Sequence, residues 1–478
     1  MKKKLIYQIG RLENITEKLE FKIEERQFST YLSGLALKEY FQDKNTKYII
    51  LYPVSLLLNF SAFNKLKDIS EEIYKFKKEG LKLFESSENR ETFLKDPSKL
   101  YSLHPHSFLA DDFVVIHSIG EYKGISFSCS FEHLVFDIFT DLFMRYIEDP
   151  YDELYLDISS GHNIYVSALL EAGRLFLTLQ RLQDLCCEKL LKVFLIFSEP
   201  ILPQKKGIYR IYKEHELKTK SFFFILEKPK QASFENAYAE FSKKICDLLS
   251  TDREFKRKLN RYLTNAYFFY SALKNNTPLV LYSWEYDELE NVTDFLKEFT
   301  NILKDRLFEN YKHTSINDFS DIKKVYFNLM LYLGMIKLFK KFGITKKDEV
   351  NLAEIKRVFT LEDNNIYKFI DLTTNVTYLE HEINYNFEHK LKDYIIKNKE
   401  DRETIEKLYS YRLLAEYIPG ERKSDHIDRR NFLAHCGFER LSVEIKLKDE
   451  SNKLFEEQVW LRYCEDKRSR IEEILLRS

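Results

Sequence analysis

The chain has 478 residues, of which 44% are hydrophobic and 32% are charged, and its formal net charge is −1. This length allows two or three domains with separate cores, and the charge excludes a chain that is basic as a whole. The six cysteines include no CxxC pair, which argues against a zinc site or a thioredoxin-like redox motif. No apolar stretch is long enough to span a membrane, so we expect no signal peptide and a reducing, cytoplasmic location.

Glycine and proline are concentrated in the first part of the chain. Eight of the nine prolines fall at or before Pro278, and eight of the twelve glycines fall at or before Gly207. A turn-rich part followed by a turn-poor part predicts strands that alternate with helices, followed by a helical domain. We place the boundary between residues 231 and 232, where the hydrophobic pattern becomes helical.

The first part contains apolar strand patterns separated by helical ones. In chain order we predict a strand at 4–10, a helix at 28–41, a strand at 47–55, an inserted helical segment at about 60–100, a strand at 111–120, a helix at 131–147, a strand from 152 that leads into a turn and a helix, and strands at 190–198 and 221–229. This alternation predicts a mostly parallel sheet with helices on both faces.

The second part has helical periodicity almost throughout. Amphipathic segments run through residues 233–275, 286–312, 318–343 and 365–416. Residues 441–463 alternate between apolar and polar side chains, which predicts a β-hairpin before a final charged helix.

The sequence DISSGHN, residues 157–163, lies between a predicted strand and a helix. Ligands bind outside the carboxyl ends of strands in an open parallel sheet. Gly161 permits a positive φ, Ser159 and Ser160 supply hydroxyls, and the following helix N-terminus suits a phosphate. The alternative is an ordinary turn in which Ser160 or Asn163 caps the helix.

The loop after the first predicted strand opens onto the same edge of the sheet. It contains Gly10 and Arg11, and the arginine is either a phosphate contact or a solvated charge. Neither a GxGxxG fingerprint nor a P-loop occurs in the sequence, which argues against a dinucleotide cofactor or an ATPase.

The sequence RNFLAH, residues 430–435, lies in a predicted helix that ends before Gly437. Asn431 and His435 are four apart and share a face, and the long Arg430 side chain reaches the same side. A histidine can accept the 2′-hydroxyl proton of RNA or protonate the leaving oxygen, and an arginine matches the phosphoryl oxygens. Asn431 can orient the imidazole or the phosphate, and no metal is required for this chemistry. The alternative is a helix end where these side chains bind terminal carbonyls.

One arginine and one histidine supply only half of a general acid–base apparatus. Two copies of this helix that meet across a two-fold axis would bring two of each into one cleft. We therefore expect a homodimer or a higher assembly of dimers.

RNFLAH resembles the RNxxAH form of the Arg-x4–6-His motif of HEPN ribonucleases, and DISSGHN resembles the D-x-[ST]-x-G-x-N turn of the CARF ligand pocket. The chain thus resembles CRISPR-associated ribonucleases that join these two domains. The resemblance implies a Rossmann-like CARF domain over residues 1–231, with the helical insertion. It further implies a mainly α-helical HEPN domain over 232–478, with its own helical insertion and the C-terminal β-hairpin.

The resemblance also implies a mechanism. A cyclic oligoadenylate made by a type III CRISPR effector binds across two CARF protomers, and the HEPN dimer then cuts single-stranded RNA without a metal or cofactor, in antiviral defence. The implied catalytic residues are Arg430 and His435, with Asn431 in support. The implied ligand-binding residues are Gly10, Arg11, Thr30, Ser159, Ser160, Gly161 and Asn163. We expect cyclic tetra-adenylate as the activator and 2′,3′-cyclic phosphate products.

Two other functions stay open at this point. The first is a nucleotide-sensing regulator whose HEPN half binds RNA without cleaving it. The second is a CARF site that also cleaves its cyclic ligand. Ser160 stands where the family often has a bulkier residue, and His162 stands where it usually has an apolar one, and these differences bear on ring size and on ligand cleavage.

Two further histidine clusters do not match a metal site. His104 and His106 flank a proline without a placed third ligand, so we expect a surface loop. The spacing of His381 and His389 around Glu382 matches no zinc-binding helix, and we expect a solvated face there.

Overall fold

The chain forms two compact units in this computed structural model. The structure describes residues 2–12, 15–67, 70–186, 190–200, 207–218, 228–230, 233–316, 318–361, 365–418, 427–448 and 454–478. The first unit comprises Met1–Arg181, Lys189–Ser221 and Lys297–Phe319, and the second comprises Leu182–Glu188, Phe222–Leu296 and Ser320–Ser478. The predicted boundary at 231 and 232 falls on residues outside the described ranges and stays a prediction.

The described residues of the first unit form ten strands. They are β1 (Lys4–Ile9), β2 (Leu19–Ile23), β3 (Arg26–Thr30), β4 (Thr46–Pro53), β5 (Asp112–Ile116), β6 (Ile119–Tyr122), β7 (Ile125–Ser128), β8 (Glu153–Asp157), β9 (Lys192–Ser198) and β10 (Ile208–Glu216). Eight of them form one sheet in the order β3-β2-β10-β9-β8-β1-β4-β5, and β6 and β7 form a separate hairpin.

The five neighbours β9, β8, β1, β4 and β5 pair in parallel, which confirms the predicted mostly parallel sheet. Their side chains are buried on both faces, as Ile6, Ile49 and Leu156 show, and this explains their continuous apolar runs. From β1 the chain proceeds to β4 and β5 on one side and then returns to β8 on the other. The strand order therefore reverses at β1 and β8, and the carboxyl ends of these two strands form the edge where such sheets bind ligands.

Before Ser233, the described residues form seven helices. They are α1 (Ser33–Phe41), α2 (Phe60–Lys65), α3 (Glu71–Lys82), α4 (Ser87–Lys95), α5 (Ser98–Tyr101), α6 (Phe131–Glu148) and α7 (Asn163–Gln183), with 3-10 turns at Val54–Leu58 and Pro105–Phe108. Helices α2 to α5 lie between β4 and β5 in sequence, where the helical segment was predicted.

Three predictions for the first unit were wrong or incomplete. Residues 28–41 are not one helix, because Arg26–Thr30 forms an antiparallel hairpin with β2 before α1 begins. The predicted strand at 111–120 ends at Ile116, and the chain then enters the β6–β7 hairpin. Strand β10 was not predicted, and the strand predicted at 221–229 lies largely outside the described residues.

Helices dominate the second half of the chain. They are α8 (Ala239–Leu249), α9 (Arg253–Lys274), α10 (Pro278–Ser283), α11 (Leu289–Phe308), α12 (Ser320–Lys341), α13 (Leu352–Lys356), α14 (Ile366–Phe369), α15 (Thr373–Ile383), α16 (Lys392–Lys397), α17 (Arg402–Leu408), α18 (Leu414–Tyr417), α19 (Arg429–Ala434), α20 (Phe455–Gln458) and α21 (Arg468–Leu476), with 3-10 turns at Phe234–Asn236 and Glu465–Lys467 and π-helical segments at Arg357–Leu361 and Asn384–Leu391. None of the described helices has the length and apolar character that a membrane crossing requires.

A small antiparallel sheet completes the second unit. It consists of β11 (Val350–Asn351), β12 (Arg412–Leu413), β13 (Val443–Leu447) and β14 (Val459–Tyr463), in the order β11-β14-β13-β12. Strands β13 and β14 confirm the predicted C-terminal hairpin. The predicted helical segment at 365–416 is divided in the structure into α14 to α17 and a π-helical segment, followed by β12 and the start of α18.

We expect truncation of the central strand β8 to destabilise the first unit. Leu156 is fully buried, so Leu156→Ala should lower the free energy of unfolding by about 2–5 kcal/mol through lost apolar contact and a residual cavity. Leu190, with 41% exposure, is the matched control, and Leu190→Ala should change the free energy of unfolding by about 0.5 kcal/mol or less. Urea unfolding followed by circular dichroism measures both, and equal losses would contradict the assigned core.

Candidate functional site

The turn after β8 is held by its own polar side chains. The carboxylate of Asp157 accepts hydrogen bonds from the Ser159 backbone N–H (2.9 Å) and from the Ser33 hydroxyl (2.7 Å). Burial raises the pKa of Asp157 to about 6, although these hydrogen bonds act in the opposite direction. The Ser160 hydroxyl donates to the Ile9 carbonyl (3.0 Å), and the Ser159 hydroxyl accepts from the Ser198 N–H (2.8 Å). The turn is thus fixed to the ends of β1 and β9.

Both predicted serine ligands are engaged in hydrogen bonds within the fold. The Ser160 hydroxyl donates to Ile9 and accepts from the Gln8 side-chain amide (3.0 Å). The Ser159 hydroxyl accepts from the Ser198 N–H, and the Ser159 side chain also hydrogen-bonds the Asp157 carboxylate. Both hydroxyls therefore serve first to hold the turn in place.

Gly161 and Asn163 lie at the open side of this turn, and both are exposed. Gly161 has a φ of +109°, and a Cβ at this position would lie 2.7 Å from the Cβ of Ile9. Only glycine fits this close approach without strain. Asn163 begins the 21-residue helix α7, whose first backbone N–H groups have no partners within the helix and therefore suit an anion.

The loop after β1 lies beside this turn. A Cβ on Gly10 would collide with the buried ring of Tyr52, so the backbone passes close to β4. The guanidinium of Arg11 donates to the Tyr31 carbonyl at 2.6 Å, and the side chain is only partly exposed. The structure thus places Gly10, Arg11 and the β8 turn at the point where the strand order reverses.

Thr30 occupies a different position from the other predicted ligand residues. It is only 3% exposed, and its hydroxyl donates to the Leu32 carbonyl at 2.9 Å. It lines a surface cavity of about 490 Å³ together with Tyr31 and Lys18. The hydroxyl of Thr30 is therefore engaged within the fold.

His104 and His106 do not form the surface loop that we expected, because both imidazoles are fully buried. Their Nε2 atoms contact the carbonyls of Arg11 and Ile15, each at 3.1 Å. Burial lowers the pKa of His106 to about 3 and the pKa of His104 well below its usual range. Both are thus neutral donors that hold the loop after β1, and this role depends on tertiary contacts that sequence spacing does not reveal.

The RNFLAH sequence forms the short helix α19 and its C-terminal end. Asp428 caps the helix by accepting from the Asn431 N–H at 3.0 Å. At the other end the Gly437 N–H binds the Phe432 carbonyl, and the Cys436 N–H binds the Leu433 carbonyl. This pair of hydrogen bonds is a Schellman motif, with Cys436 in the left-handed region at φ +52°.

His435 is the C-cap residue that follows this helix, and it is held by an acidic partner. Its Nδ1 lies 3.1 Å from the Oε2 atom of Glu382, and its side chain is 45% exposed. The hydrogen bond to Glu382 is the main cause that raises the pKa of His435, partial burial lowers it, and the charge of Glu439 adds to the increase. Asn386 donates to the same Glu382 oxygen at 2.8 Å. A proton on Nδ1 directed at the carboxylate leaves Nε2 free to exchange protons with a substrate.

Glu382 is a functional candidate that the sequence analysis placed on a solvated face. That interpretation was wrong for this residue, because its side chain is only 12% exposed and contacts His435. His381 and His389 on the same helical stretch are exposed, as expected. The pattern of charges alone did not separate Glu382 from its neighbours, since its partner lies 53 residues later in the chain.

Arg430 and Asn431 are exposed side chains at the start of α19. Within the described part of the chain, no ion pair holds the Arg430 guanidinium. Phe432, between them and His435, is fully buried and packs against Tyr463 of β14, with ring centroids 6.1 Å apart. The helix is thus anchored on its inner face, and its polar residues face outward.

The structure contains no cluster of three or more histidine, cysteine, aspartate or glutamate side chains arranged to hold a metal ion, within the ranges that it describes.

Two protein-family models match the chain. Residues 4–200, which contain the β1 and β8 turns, match the CARF domain of the CRISPR system endoribonuclease Csx1. Residues 372–466, which contain Glu382, Arg430 and His435, match the HEPN domain of the same endoribonuclease. No curated protein matches the chain. The two matches together cover more than half of the sequence, and the chain therefore belongs to the CRISPR-associated ribonucleases that join a CARF domain to a HEPN domain.

Proposed function

We propose that this ribonuclease cleaves single-stranded RNA without a metal ion and is activated by a cyclic oligoadenylate, most simply cyclic tetra-adenylate, in type III CRISPR defence. The observation that carries the cleavage chemistry is a half-exposed His435, whose Nδ1 is bound by Glu382, at the end of the short helix that carries the exposed Arg430. A histidine that is oriented in this way, with its pKa raised by a carboxylate partner, suits proton transfer at a phosphodiester.

In the proposed reaction, the RNA 2′-oxygen attacks the adjacent phosphorus while the Nε2 of one His435 accepts the hydroxyl proton. The bond from phosphorus to the 5′-oxygen breaks, and a second imidazole donates a proton to that oxygen. The products are a 2′,3′-cyclic phosphate and a 5′-hydroxyl. Arg430 stabilises the charge that accumulates on the phosphoryl oxygens, and Asn431 positions the phosphate.

This reaction requires two imidazoles in opposite protonation states. One copy of the chain supplies one, so the proposal includes a homodimer, or an assembly of dimers, in which two α19 helices share one cleft. The raised pKa of His435 favours this arrangement, because it keeps a protonated population available near neutral pH.

The activator site is proposed at the carboxyl ends of β1 and β8. A cyclic oligoadenylate presents phosphodiesters, and the N-terminus of α7 and Arg11 are groups that bind phosphate oxygens. The activator changes the HEPN half only to the extent that it binds the active arrangement more tightly than the inactive one.

The first test is a fluorogenic single-stranded RNA assay in EDTA with cyclic tri-, tetra- and hexa-adenylate. His435→Ala should lower kcat by about 10²–10⁴-fold, and Arg430→Ala by about 10²–10³-fold. The exposed neighbours provide matched controls, and His389→Ala and Arg429→Ala should stay within about twofold of wild type.

Each outcome of this assay separates the proposal from an alternative. RNA binding without cleavage under every activator would favour a regulator that does not cut RNA. Activity that requires a divalent ion would contradict the metal-free mechanism. Conversion of the cyclic ligand to a linear product would assign a second activity to the CARF site.

Glu382→Gln removes the negative charge beside His435 but keeps a hydrogen-bond acceptor, so it tests the effect of that charge on the pKa of His435. Loss of the carboxylate lowers the pKa of His435 toward its ordinary value, because the main raising interaction disappears. The limb of the pH profile of kcat/KM that His435 controls should therefore move to lower pH, whether the imidazole acts as base or as acid. Glu380→Gln, two residues away, should leave the profile unchanged, and an unchanged profile in both variants would remove Glu382 from the mechanism.

Gly161→Ala tests the activator site. The added Cβ meets Ile9 and the backbone φ is unfavourable, so the turn must shift, and the activator concentration for half-maximal activity should rise about tenfold or more. Gly124→Ala is the matched control, since Gly124 also has a positive φ but no atom within 4 Å of the added Cβ. An equal activator response in both variants would argue against the assigned pocket.

A further inference from the structure

The helix that carries Glu382 also has an outward-facing group of aromatic side chains. Tyr378 is 68% exposed and Tyr385 is 46% exposed, and the His381 side chain is 74% exposed. The inward positions Leu379 and Ile383 are fully buried. The exposed rings are therefore not part of the hydrophobic core, although ring surface of this size usually is.

These rings are arranged before any ligand binds. The rings of His381 and Tyr385 lie nearly parallel, at 15°, with centroids 6.0 Å apart. The ammonium group of Lys390 lies 4.0 Å from the Tyr385 ring centroid. The π-helical segment Asn384–Leu391 accounts for this contact, because its wider turn brings residues five apart onto one face.

The aromatic group borders the candidate catalytic histidine. Residues 378, 381, 382 and 385 are spaced by three and four, so they share one face of the helix. Glu382, in the middle of this face, binds Nδ1 of His435. An RNA strand whose phosphate lies at His435 would thus have its neighbouring nucleotides beside Tyr378, His381 and Tyr385.

We propose that Tyr378, His381 and Tyr385, with Lys390, form a base-stacking subsite for the single-stranded RNA nucleotides that flank the scissile phosphate at His435. This inference rests on the proposed ribonuclease function and names how its substrate is held. Unpaired bases stack on aromatic faces with little dependence on sequence, whereas bases inside a duplex are already stacked. The subsite therefore selects single strands and tolerates many sequences.

The other occupant of an exposed aromatic face is a second copy of the chain. The features of this face favour RNA, because the parallel rings carry polar edges and a cation, whereas the core of a stable protein interface is depleted of charge. Covering by a second copy is an outcome that the experiment below detects.

The test uses full-length protein that carries His435→Ala, so that binding is measured without cleavage. Tyr385→Ala in this background should weaken binding of a labelled single-stranded RNA by about tenfold in fluorescence anisotropy, and Tyr385→Phe should restore it because the ring remains. Tyr409 is the matched control at 45% exposure, and Tyr409→Ala should leave the affinity unchanged. In the otherwise wild-type enzyme, Tyr385→Ala should raise KM about tenfold and change kcat by less than about twofold.

A second substrate tests whether the bases are responsible. RNA with abasic nucleotides around the cleavage position should bind the proteins with and without Tyr385→Ala equally. Equal binding of intact RNA to both proteins would overturn the subsite. A lower molecular mass of the Tyr385→Ala protein in light scattering would also overturn it, because the aromatic face would then belong to an interface between copies of the chain. Absence of RNA binding by the His435→Ala protein itself would instead reject the proposed function together with the subsite.

Discussion

The hydrogen bond between Glu382 and His435 is the contact on which the candidate ribonuclease site depends. It joins two helices from distant parts of the sequence, fixes which imidazole nitrogen carries the shared proton, and supplies the negative charge that raises the pKa of the ring. The Schellman end of α19 and the buried Phe432 hold the backbone beneath it. Reactive groups at the surface are thus positioned by a buried ring and a turn that take no part in the chemistry.

In the CARF half, polar groups are positioned at the ends of the central strands. Its central strands are apolar on both faces, so polar groups are confined to their ends, and the reversal of strand order leaves a crevice between two of those ends. Several side chains there bind backbone groups of neighbouring loops: Asp157, Ser160 and the neutral His104 hold these loops in place. In the proposed activator site, phosphate recognition would fall mainly to backbone N–H groups at the N-terminus of α7 and to Arg11.

Sequence reasoning was most successful where a signal is local and repeated. Continuous apolar runs predicted β1, β4 and β8, because strands buried on both faces need such residues along their whole length. It failed where structure depends on a distant partner. The two-residue strand β12 has no period to detect, and the end of β3 was taken for the start of α1. Glu382 looked like any charged helix residue, because the feature that distinguishes it is an imidazole supplied from much later in the chain.

The π-helical segment next to Glu382 has a consequence for how this site changes over evolution. A wider turn accommodates one more residue than an α-helical turn, so it marks a place where a single residue can be gained or lost without breaking the helix. Removing one residue there would return the segment to α-helical turns, in which residues five apart no longer share a face. The contact between Lys390 and the Tyr385 ring thus depends on the extra residue, whereas Glu382, which precedes the segment, keeps its hydrogen bond to His435 without it.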